Sequence, residues 1–400
     1  MRCLRAPKSD EERREQGFAS FLREAPSTSP AASAIDGKKV GVIIEVSMSY
    51  APQQTRSRSA SGPTTGPVTV NWEICLKLAE WIKCRDIPLD HEESSLKGFT
   101  AEQIGNFFLL LVAISHQTSP QGKPPLEGIV SGRHSRGWDY LFGKFEEAVR
   151  TNGTVSTPDY WARLTPEALD AIFRDERFGS RLTDLSGRAT LINDLGRAMT
   201  KHSWKTAGEI YAAAGGRIAT GQPSLVDLLS QFHAYRDPVR KKTYFYLALM
   251  RNAGVWKYQD SEELGAPVDY HEVRGHLRIG TVQIQDANLH SKILHRVEVT
   301  PEEDISIRQA VHEALMFLSA QSGLQNPSQL HYLFWNVFRS CCTRENPHCY
   351  SCPPLCSLPA RYVPLALFPD GSRHCPFLEV CTSAGHEPKL VEHTLLTDFY

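Results

Sequence analysis

The chain has 400 residues, of which 41% are hydrophobic, 22% charged and 9% aromatic, and its formal net charge is -1. A chain of this length and composition can bury a large globular core. Its near-neutral charge and pI of about 6.9 exclude the overall positive charge that is typical of nucleic-acid-binding proteins. They do not exclude a local basic patch. The apolar run at 107–114 is too short for a membrane span and residues 1–17 lack the apolar core of a secretory signal, so we expect a cytoplasmic monomer.

Composition divides the chain into four parts. Residues 1–36 mix charge with Ser, Pro and Ala and show no periodicity, which predicts a disordered tail. Residues 37–69 combine a short β-branched run at 40–46, typical of a strand, with a flexible loop rich in Ser, Thr, Pro and Gly. Residues 70–340 are predicted to form a helical core, followed by a cysteine-rich segment and tail at 341–400.

Apolar residues recur at helical spacing through most of the core, so the predicted fold class is mostly α. Thr100 with Gln103 and Thr300 with Glu303 form capping boxes, which predict helix starts. Trp335 lies at helical spacing among other aromatic residues and is predicted to belong to the core. The predicted helices cover residues 72–82, 104–114, 138–149, 166–173, 184–199, 207–213, 224–232, 239–255, 305–319 and 330–340.

The candidate catalytic carboxylate is Asp269. A short helix is predicted after Pro267 and ends near Gly280, so Asp269 falls at or near its N-terminus. The helix dipole and the free backbone N–H groups there favour the ionised carboxylate, and Arg274 and Arg278 follow on later turns. The alternative is that Asp269 only caps the helix, a position that Asp prefers.

Seven of the ten cysteines lie within residues 341–381. In a chain without a visible secretory signal, such crowding favours metal ligation over disulfides. Cys342, Cys349, Cys352 and Cys356 are separated by six, two and three residues, and soft thiolates at this spacing suit an iron–sulfur cluster or zinc. We predict a metal centre and favour iron–sulfur over zinc; the alternative is a loop of reduced thiols.

This run resembles the iron–sulfur loop of endonuclease III and adenine-DNA glycosylases, in which gaps of six, two and five residues separate four cysteines. The first three cysteines of the run match the first three positions. Cys356 comes too early for the fourth, whereas Cys375 and Cys381 reproduce the final five-residue gap further along the chain. The resemblance implies a 4Fe–4S cluster. It leaves open whether Cys356 or Cys381 is the fourth ligand, and whether Cys375 replaces Cys352.

Residues 107–119 resemble an early helix of the helix-hairpin-helix (HhH-GPD) DNA glycosylase superfamily, whose Gln-Thr signature lies beside the lesion pocket. His116, Gln117 and Thr118 occupy that position here. In the superfamily an Asp that follows Pro-Val or Ala-Val begins a later helix, and Asp269 matches it. The resemblance implies that these three residues line a base pocket. It also implies that Asp269 stabilises an oxocarbenium-like sugar and directs the attacking water.

Bifunctional members of that superfamily carry a Schiff-base Lys in the hairpin before the Asp. The corresponding residues, 247–250, include no Lys, and Lys241 and Lys242 are expected to be solvated near a helix start. We therefore predict a monofunctional hydrolase rather than a lyase. The chain also lacks the Leu-Pro-Gly-Val-Gly turn with which the superfamily grips DNA phosphate, and this weakens the DNA assignment.

A second resemblance covers more of the chain. Five short segments occur in an order similar to the queuosine salvage family, whose members hydrolyse the N-glycosidic bond of queuosine 5′-phosphate. The family's Asp-Tyr-Arg-Val segment is similar to the one beginning at Asp269 and Tyr270, and its acidic-Ile-Arg element is similar to Asp304 and Arg308. Its aromatic pocket segment is replaced here by residues 115–118, and the cysteine-rich segment is foreign to it. The five segments are residues 137–141, 164–173, 225–229, 232–237 and 268–273.

Both resemblances imply cleavage of an N-glycosidic bond. We predict a monofunctional hydrolase with Asp269 as catalytic carboxylate, in the first place a DNA glycosylase that excises a modified or damaged base. The alternatives are a nucleotide salvage hydrolase, which the near-neutral pI favours, and a non-enzymatic, metal-stabilised interaction protein. Tyr270 is a candidate substrate contact, and Arg236, Arg274 and Arg278 are candidate phosphate contacts.

Overall fold

The structure is a computed structural model that describes residues 66–88, 96–120, 122–324, 327–353 and 356–400. The predicted tail, the predicted strand at 40–46 and most of the predicted loop lie outside these residues. Within them the chain is mostly helical, which confirms the prediction of a mostly α fold. The helices are α1 (Trp72–Lys83), α2 (Ala101–Ala113), α3 (Trp138–Thr151), α4 (Pro158–Trp161), α5 (Pro166–Phe173), α6 (Leu185–Lys201), α7 (Ala207–Ala213), α8 (Leu225–Leu229), α9 (Lys241–Asn252), α10 (Tyr270–Ile279), α11 (Ala287–Leu294), α12 (Pro301–Ser322) and α13 (Pro327–Ser340), and the strands are β1 (Val68–Val70), β2 (Glu127–Val130), β3 (Arg133–Arg136) and β4 (Val282–Ile284).

Helix starts follow the capping residues of the sequence. Thr100 and Gln103 form the predicted capping box of α2, and Thr300 and Glu303 form that of α12, where Pro301 holds the first helical position. The predicted helix at 224–232 is shorter than expected, because α8 ends at Leu229 and a 3-10 turn follows. Local sequence therefore sets where the helices begin better than where they end.

Two small antiparallel sheets join the helices. Strand β1 pairs with β4, with Val70 opposite Val282. Strands β2 and β3 form a hairpin that the sequence analysis missed, because its outer strand is polar and its apolar alternation is short. Ser131 and Gly132 connect them with φ angles of 48° and 76°, as the two-residue turn of a tight hairpin requires.

The helices enclose two hydrophobic cores. The first is built by residues 96–264, with the very apolar α2 at its centre, and the second by residues 68–87 together with residues 266–377. The chain leaves the first core at Leu264 and enters the second at Ala266. None of the helices among the described residues combines the length and apolar composition that a membrane span requires.

A buried ion network joins the two cores. The Arg308 guanidinium on α12 binds both oxygens of Asp237 at 2.9 Å and both oxygens of Asp304 at 2.8 to 3.2 Å. Asp237 lies just before α9 and also accepts a hydrogen bond from the backbone N–H of Lys241 at 2.8 Å. Asp304 accepts a further bond from the Tyr400 hydroxyl at 2.6 Å. The network thus ties α9, α12 and the C-terminal segment together.

The Arg308→Met substitution should destabilise the fold strongly, because it leaves two buried carboxylates without their cation. We expect the free energy of unfolding to fall by about 3 to 5 kcal/mol, measured by urea denaturation. The control is Arg296→Met, which breaks the surface pair with Glu345 and should change stability by no more than about 0.5 kcal/mol. Equal effects of the two substitutions would contradict the conclusion that the buried network of Arg308 stabilises the fold.

Candidate active site

A cavity of about 410 Å³ lies where the two cores meet. Its walls come from the segment after α2, the start of α3 and the start of α9 on one side, and from α10, α13 and the C-terminal segment on the other. This volume falls in the range of pockets for small ligands. The lining residues include Thr118, Arg136, Trp138, Lys241, Phe245, Asp269, Tyr270, His271, Arg274, His331, Trp335, Arg339, Arg344 and Tyr400.

Asp269 caps α10 and also faces this cavity. Its Oδ1 accepts hydrogen bonds from the backbone N–H groups of His271 at 2.8 Å and Glu272 at 3.2 Å. In return Glu272 Oε2 accepts a bond from the backbone N–H of Asp269 at 3.0 Å, which completes a capping box. The predicted helix start is therefore confirmed. Because Oδ1 accepts both capping bonds, Oδ2 is left for the cavity, so the capping role and a chemical role are compatible.

The protonation of Asp269 differs from the expectation. Burial, and after it the nearby Glu272 carboxyl, raise the pKa of Asp269 to about 6, although His331, Lys241 and a backbone N–H act in the opposite direction. The helix N-terminus alone would have favoured the ionised form. Desolvation outweighs it here, because only 8% of the residue's surface is exposed. Asp269 therefore changes charge close to physiological pH.

Two lysines that were expected to be solvated are buried. Lys241 is 7% exposed and lines the cavity, where its charge interacts with Asp269, Asp237 and Glu272. Burial lowers the pKa of Lys241 and that of Lys242. Lys242 lies outside the cavity and donates to the backbone oxygen of Ala113. The sequence placed both at a helix start correctly but gave no sign of the distant segments that surround them, such as Ala113 at Lys242 and Glu272 near Lys241.

Aromatic side chains form much of the cavity wall. Trp138 and Phe245 contact each other edge to face with their ring centroids 4.7 Å apart, and Tyr270 and Trp335 lie on the other side. Trp335 was expected to belong to the core, but it is only half-buried and faces the cavity. Flat aromatic walls of this kind suit a planar heterocycle.

Arginines line the same cavity. The guanidinium carbon of Arg339 lies 4.5 Å from the Trp335 ring centroid, and that of Arg344 lies 5.9 Å from the Tyr270 ring centroid. Arg136 extends from β3 with 62% of its side chain exposed. The cavity therefore joins aromatic walls, a buried carboxylate and cationic groups that can bind an anion.

Of the predicted base-pocket residues, only Thr118 lines the cavity, where its side chain bonds with Tyr270. His116 is 2% exposed and lies against Lys242, with 3.3 Å between Nδ1 and Nζ. Gln117 Nε2 donates to the Thr397 backbone oxygen at 3.1 Å. Neither residue is among those that line this cavity: Gln117 binds the C-terminal segment, and His116 lies beside Lys242.

Two of the three arginines predicted to contact phosphate also lie outside the cavity. Arg236 is exposed and donates to the backbone oxygens of Ser230 and Gln231. Arg278 is 1% exposed, and its guanidinium donates to backbone oxygens of the cysteine-rich segment, among them Thr343 at 2.7 Å. Neither has a donor directed into the cavity.

Arg274 lines the cavity, yet its donors already have protein partners. It binds the Glu392 carboxylate at 2.8 Å and the Cys342 backbone oxygen at 2.9 Å. It also lies 2.7 Å from His271 Nδ1. Arg274 is therefore a structural residue of the cavity wall. Arg339 and Arg344, which the sequence analysis did not single out, are also paired with carboxylates, but 35% and 22% of their side chains are exposed, so they are better placed to bind a ligand.

The predicted metal ligands lie in the segment after α13, and all but Cys349 belong to the second core or pack against it. Burial raises the pKa of the thiols of Cys349, Cys352, Cys375 and Cys381. Thiols in such surroundings become thiolates readily only when a cation replaces their protons. The predicted ligand residues are the free cysteines Cys342, Cys349, Cys352, Cys356, Cys375 and Cys381.

One more group has the donor atoms that metals prefer. His116, Asp184 and Asp398 bring three such atoms within 4.8 Å of one another. The nearby cations Lys242 and Arg188 lower the pKa of His116 together with burial, the largest cause. A metal ion there would meet the same positive charges, so this group is a poor metal site.

No protein-family model matches the chain, and no curated protein matches its sequence.

Replacing Asp269 with Asn should stabilise the protein at pH 7.5. An Asn side chain can keep both capping bonds, and the substitution removes a buried charge that costs up to about 3 kcal/mol once the pH exceeds the folded-state pKa near 6. The gain should shrink as the pH falls toward 4, where the carboxyl is neutral. Thermal unfolding at several pH values measures it. Asp286→Asn, at the exposed cap of α11, is the control and should give no such gain.

Proposed function

We propose that this protein hydrolyses an N-glycosidic bond, with the substrate in the cavity beside Asp269. The observation that carries the proposal is one buried carboxylate with a free oxygen, placed between aromatic walls and cationic groups. A nucleotide has the matching parts, since its base is flat, its phosphate is anionic and its C1′ atom develops positive charge as the base leaves. The resemblance to the glycosylase and queuosine salvage families supports the same reaction.

Asp269 would act on the sugar. As the C1′–N bond breaks, its electron pair passes to the base, and the sugar becomes an oxocarbenium-like cation. The ionised Oδ2 stabilises that cation, and it can accept a proton from the water whose oxygen bonds to C1′. The carboxylate must be charged for both tasks, so the ionised form of Asp269 is the active one.

Lys241 would support this chemistry from the opposite side of the cavity. Its positive charge lowers the pKa of Asp269 and so favours the ionised carboxylate. The departing base needs one proton to become neutral, and an ammonium group that burial makes more acidic is a suitable donor. The monofunctional assignment rested partly on the absence of a nearby Lys. We retain hydrolysis as the proposal, because the nearby charges of Asp269, Asp237 and Glu272 oppose the effect of burial and favour the protonated, non-nucleophilic amine of Lys241.

The cavity favours a free nucleotide over a base flipped out of DNA. Arg339 and Arg344 are held near the aromatic walls by the carboxylates of Asp139 and Glu392, and a substrate 5′-phosphate could join them. The Gln-Thr signature was the argument for DNA. The side-chain amide of Gln117 in that signature is already hydrogen-bonded to the C-terminal segment. A modified nucleoside 5′-phosphate, with queuosine 5′-phosphate as the first compound to test, is therefore the proposed substrate.

DNA is the second candidate, and one feature favours it. The β2–β3 hairpin beside the cavity carries the exposed residues Arg133, His134 and Arg136. Such a hairpin could contact the phosphates that flank an extruded base. The two candidates predict different substrate preferences in one assay.

The proposal predicts base release that depends on Asp269. Wild-type protein should release base from queuosine 5′-phosphate, more slowly from queuosine without phosphate, and not from modified-base duplex DNA. The Asp269→Asn substitution should lower kcat/KM by roughly 100- to 10,000-fold, and Asp286→Asn should leave it unchanged. Liquid chromatography of the released base measures both. Base release from DNA and not from the nucleotide would identify the protein as a DNA glycosylase instead. Full activity of Asp269→Asn would contradict the mechanism.

The activity should rise with pH as Asp269 ionises, with a midpoint near 6 in the profile of kcat/KM. The Lys241→Met substitution removes a charge that lowers this pKa, so the midpoint should move to higher pH and kcat should fall at least about tenfold. Lys77→Met, on the exposed surface of α1, is the control. A midpoint that moves to lower pH, or does not move, would contradict the proposed role of Lys241.

A further inference from the structure

His271 is held in place by a neighbour on its own helix. His271 and Arg274 are three residues apart on α10, so their side chains meet on one face, with 2.7 Å between His271 Nδ1 and Arg274 Nη2. Arg274 is itself fixed, because it binds the Glu392 carboxylate at 2.8 Å. It also donates to the backbone oxygens of Cys342 and Phe338, at 2.9 and 3.1 Å. The imidazole therefore contacts a guanidinium whose position is set by three other contacts.

This contact determines which nitrogen of His271 carries a proton. A guanidinium has only N–H donors, so His271 Nδ1 must accept the hydrogen bond and carries no proton itself. The ring is then neutral, with its proton on Nε2. Burial, the largest cause, lowers the pKa of His271, and the positive charges around it act in the same direction. Those charges are on Arg274, Arg339, Arg344 and, when it is protonated, His331.

The Nε2–H donor of His271 is available to a ligand. The residue is half-buried and lines the cavity. In the part of the chain that the structure describes, no protein group accepts a hydrogen bond from this nitrogen, yet it is not enclosed. The Nε2 atoms of His276 and His312, by contrast, are buried without a partner. His271 therefore offers the cavity one N–H donor that is fixed in position and in protonation.

His271 also stands between two aromatic rings that each contact an arginine. Its ring centroid lies 4.2 Å from that of Tyr270 and 6.3 Å from that of Trp335. Arg344 lies over the Tyr270 ring, and Arg339 lies over the Trp335 ring. A ligand group that accepts the Nε2–H bond would meet positive charge on both sides. A phosphate monoester suits this position, because it has about two negative charges at pH 7 and three oxygens that accept hydrogen bonds.

We propose that His271 binds the 5′-phosphate of the substrate, with its neutral Nε2–H donating to one phosphate oxygen while Arg339 and Arg344 bind the others. This inference rests on the nucleotide substrate proposed above and adds a binding residue to the same site. The arginines supply the charge, and the imidazole supplies a directed hydrogen bond. Its proton stays on Nε2 when phosphate binds, because Nδ1 still accepts from Arg274.

The first test reads the protonation of His271 directly. A long-range proton–nitrogen correlation spectrum of the wild-type protein separates neutral from charged imidazoles and shows which nitrogen is protonated. The signals of His271 are assigned by their loss in His271→Gln. At pH 7.5 we expect a neutral ring with its proton on Nε2, and a change of the Nε2 signal when inorganic phosphate is added.

The second test measures binding in the Asp269→Asn background, which should bind the substrate without cleaving it. His271→Phe keeps a flat ring but removes the donor. It should weaken binding of queuosine 5′-phosphate roughly ten- to a hundredfold and leave binding of queuosine unchanged, as measured by isothermal titration calorimetry. His271→Gln offers an amide donor at a similar distance from the backbone and should recover part of the loss. His290→Phe, at an exposed position of α11, is the matched control and should bind as its parent does.

A proton on Nδ1, a His271 signal that ignores inorganic phosphate, or unchanged binding of the 5′-phosphate by His271→Phe would each overturn the inference. An equal loss of affinity for queuosine would also overturn it, since the donor would then face the base or the sugar. Both spectroscopic results come from the wild-type protein, so they test the inference even if His271→Phe does not fold. Failure of the proposed reaction is a separate outcome: the phosphate site stands if inorganic phosphate changes the His271 signal while no base is released.

Discussion

One buried arginine, Arg308, links the two cores of this protein. The Arg308 guanidinium directs its N–H donors at two carboxylates, Asp237 from the first core and Asp304 from its own helix. Burying three charges is costly, and it is tolerated only because the bidentate geometry satisfies the donors and oxygens together. Asp237 in turn accepts a hydrogen bond from the backbone N–H of Lys241 at the start of α9, and Asp304 binds Tyr400, so the position of Lys241 and of one cavity wall both depend on this network.

The cavity is a consequence of how the two cores meet. The chain crosses from one core to the other between Leu264 and Ala266, and Asp269 begins the first helix after that crossing. Lys241 approaches from the first core and Arg344 from the segment after α13. Lys241 and Asp269 thereby come together at a boundary that is partly closed to water, where Lys241 lowers the pKa of Asp269 and Asp269 raises that of Lys241 more than either would on the surface.

The sequence predicted the features that local chemistry controls. The caps at Thr100, Thr300 and Asp269 are contained within a few residues, and the structure confirms all three. The burial of Lys241 depends on residues of the opposite core, and the contacts of Arg278 depend on a segment 65 residues further along the chain, which no local pattern contains. The same reason explains the pKa of Asp269, since helix position is local whereas desolvation is a property of the assembled cavity.

The central claim is that a nucleotide places its C1′ atom beside Asp269 in the cavity between the cores. A crystal structure of the Asp269→Asn protein with queuosine 5′-phosphate tests it most directly, because this variant should bind the substrate and not cleave it. We predict the base between the aromatic walls of Trp138 and Trp335, C1′ next to the side chain at position 269 and the phosphate at Arg339 or Arg344. A nucleotide bound outside this cavity, or bound with its sugar turned away from position 269, would contradict the account.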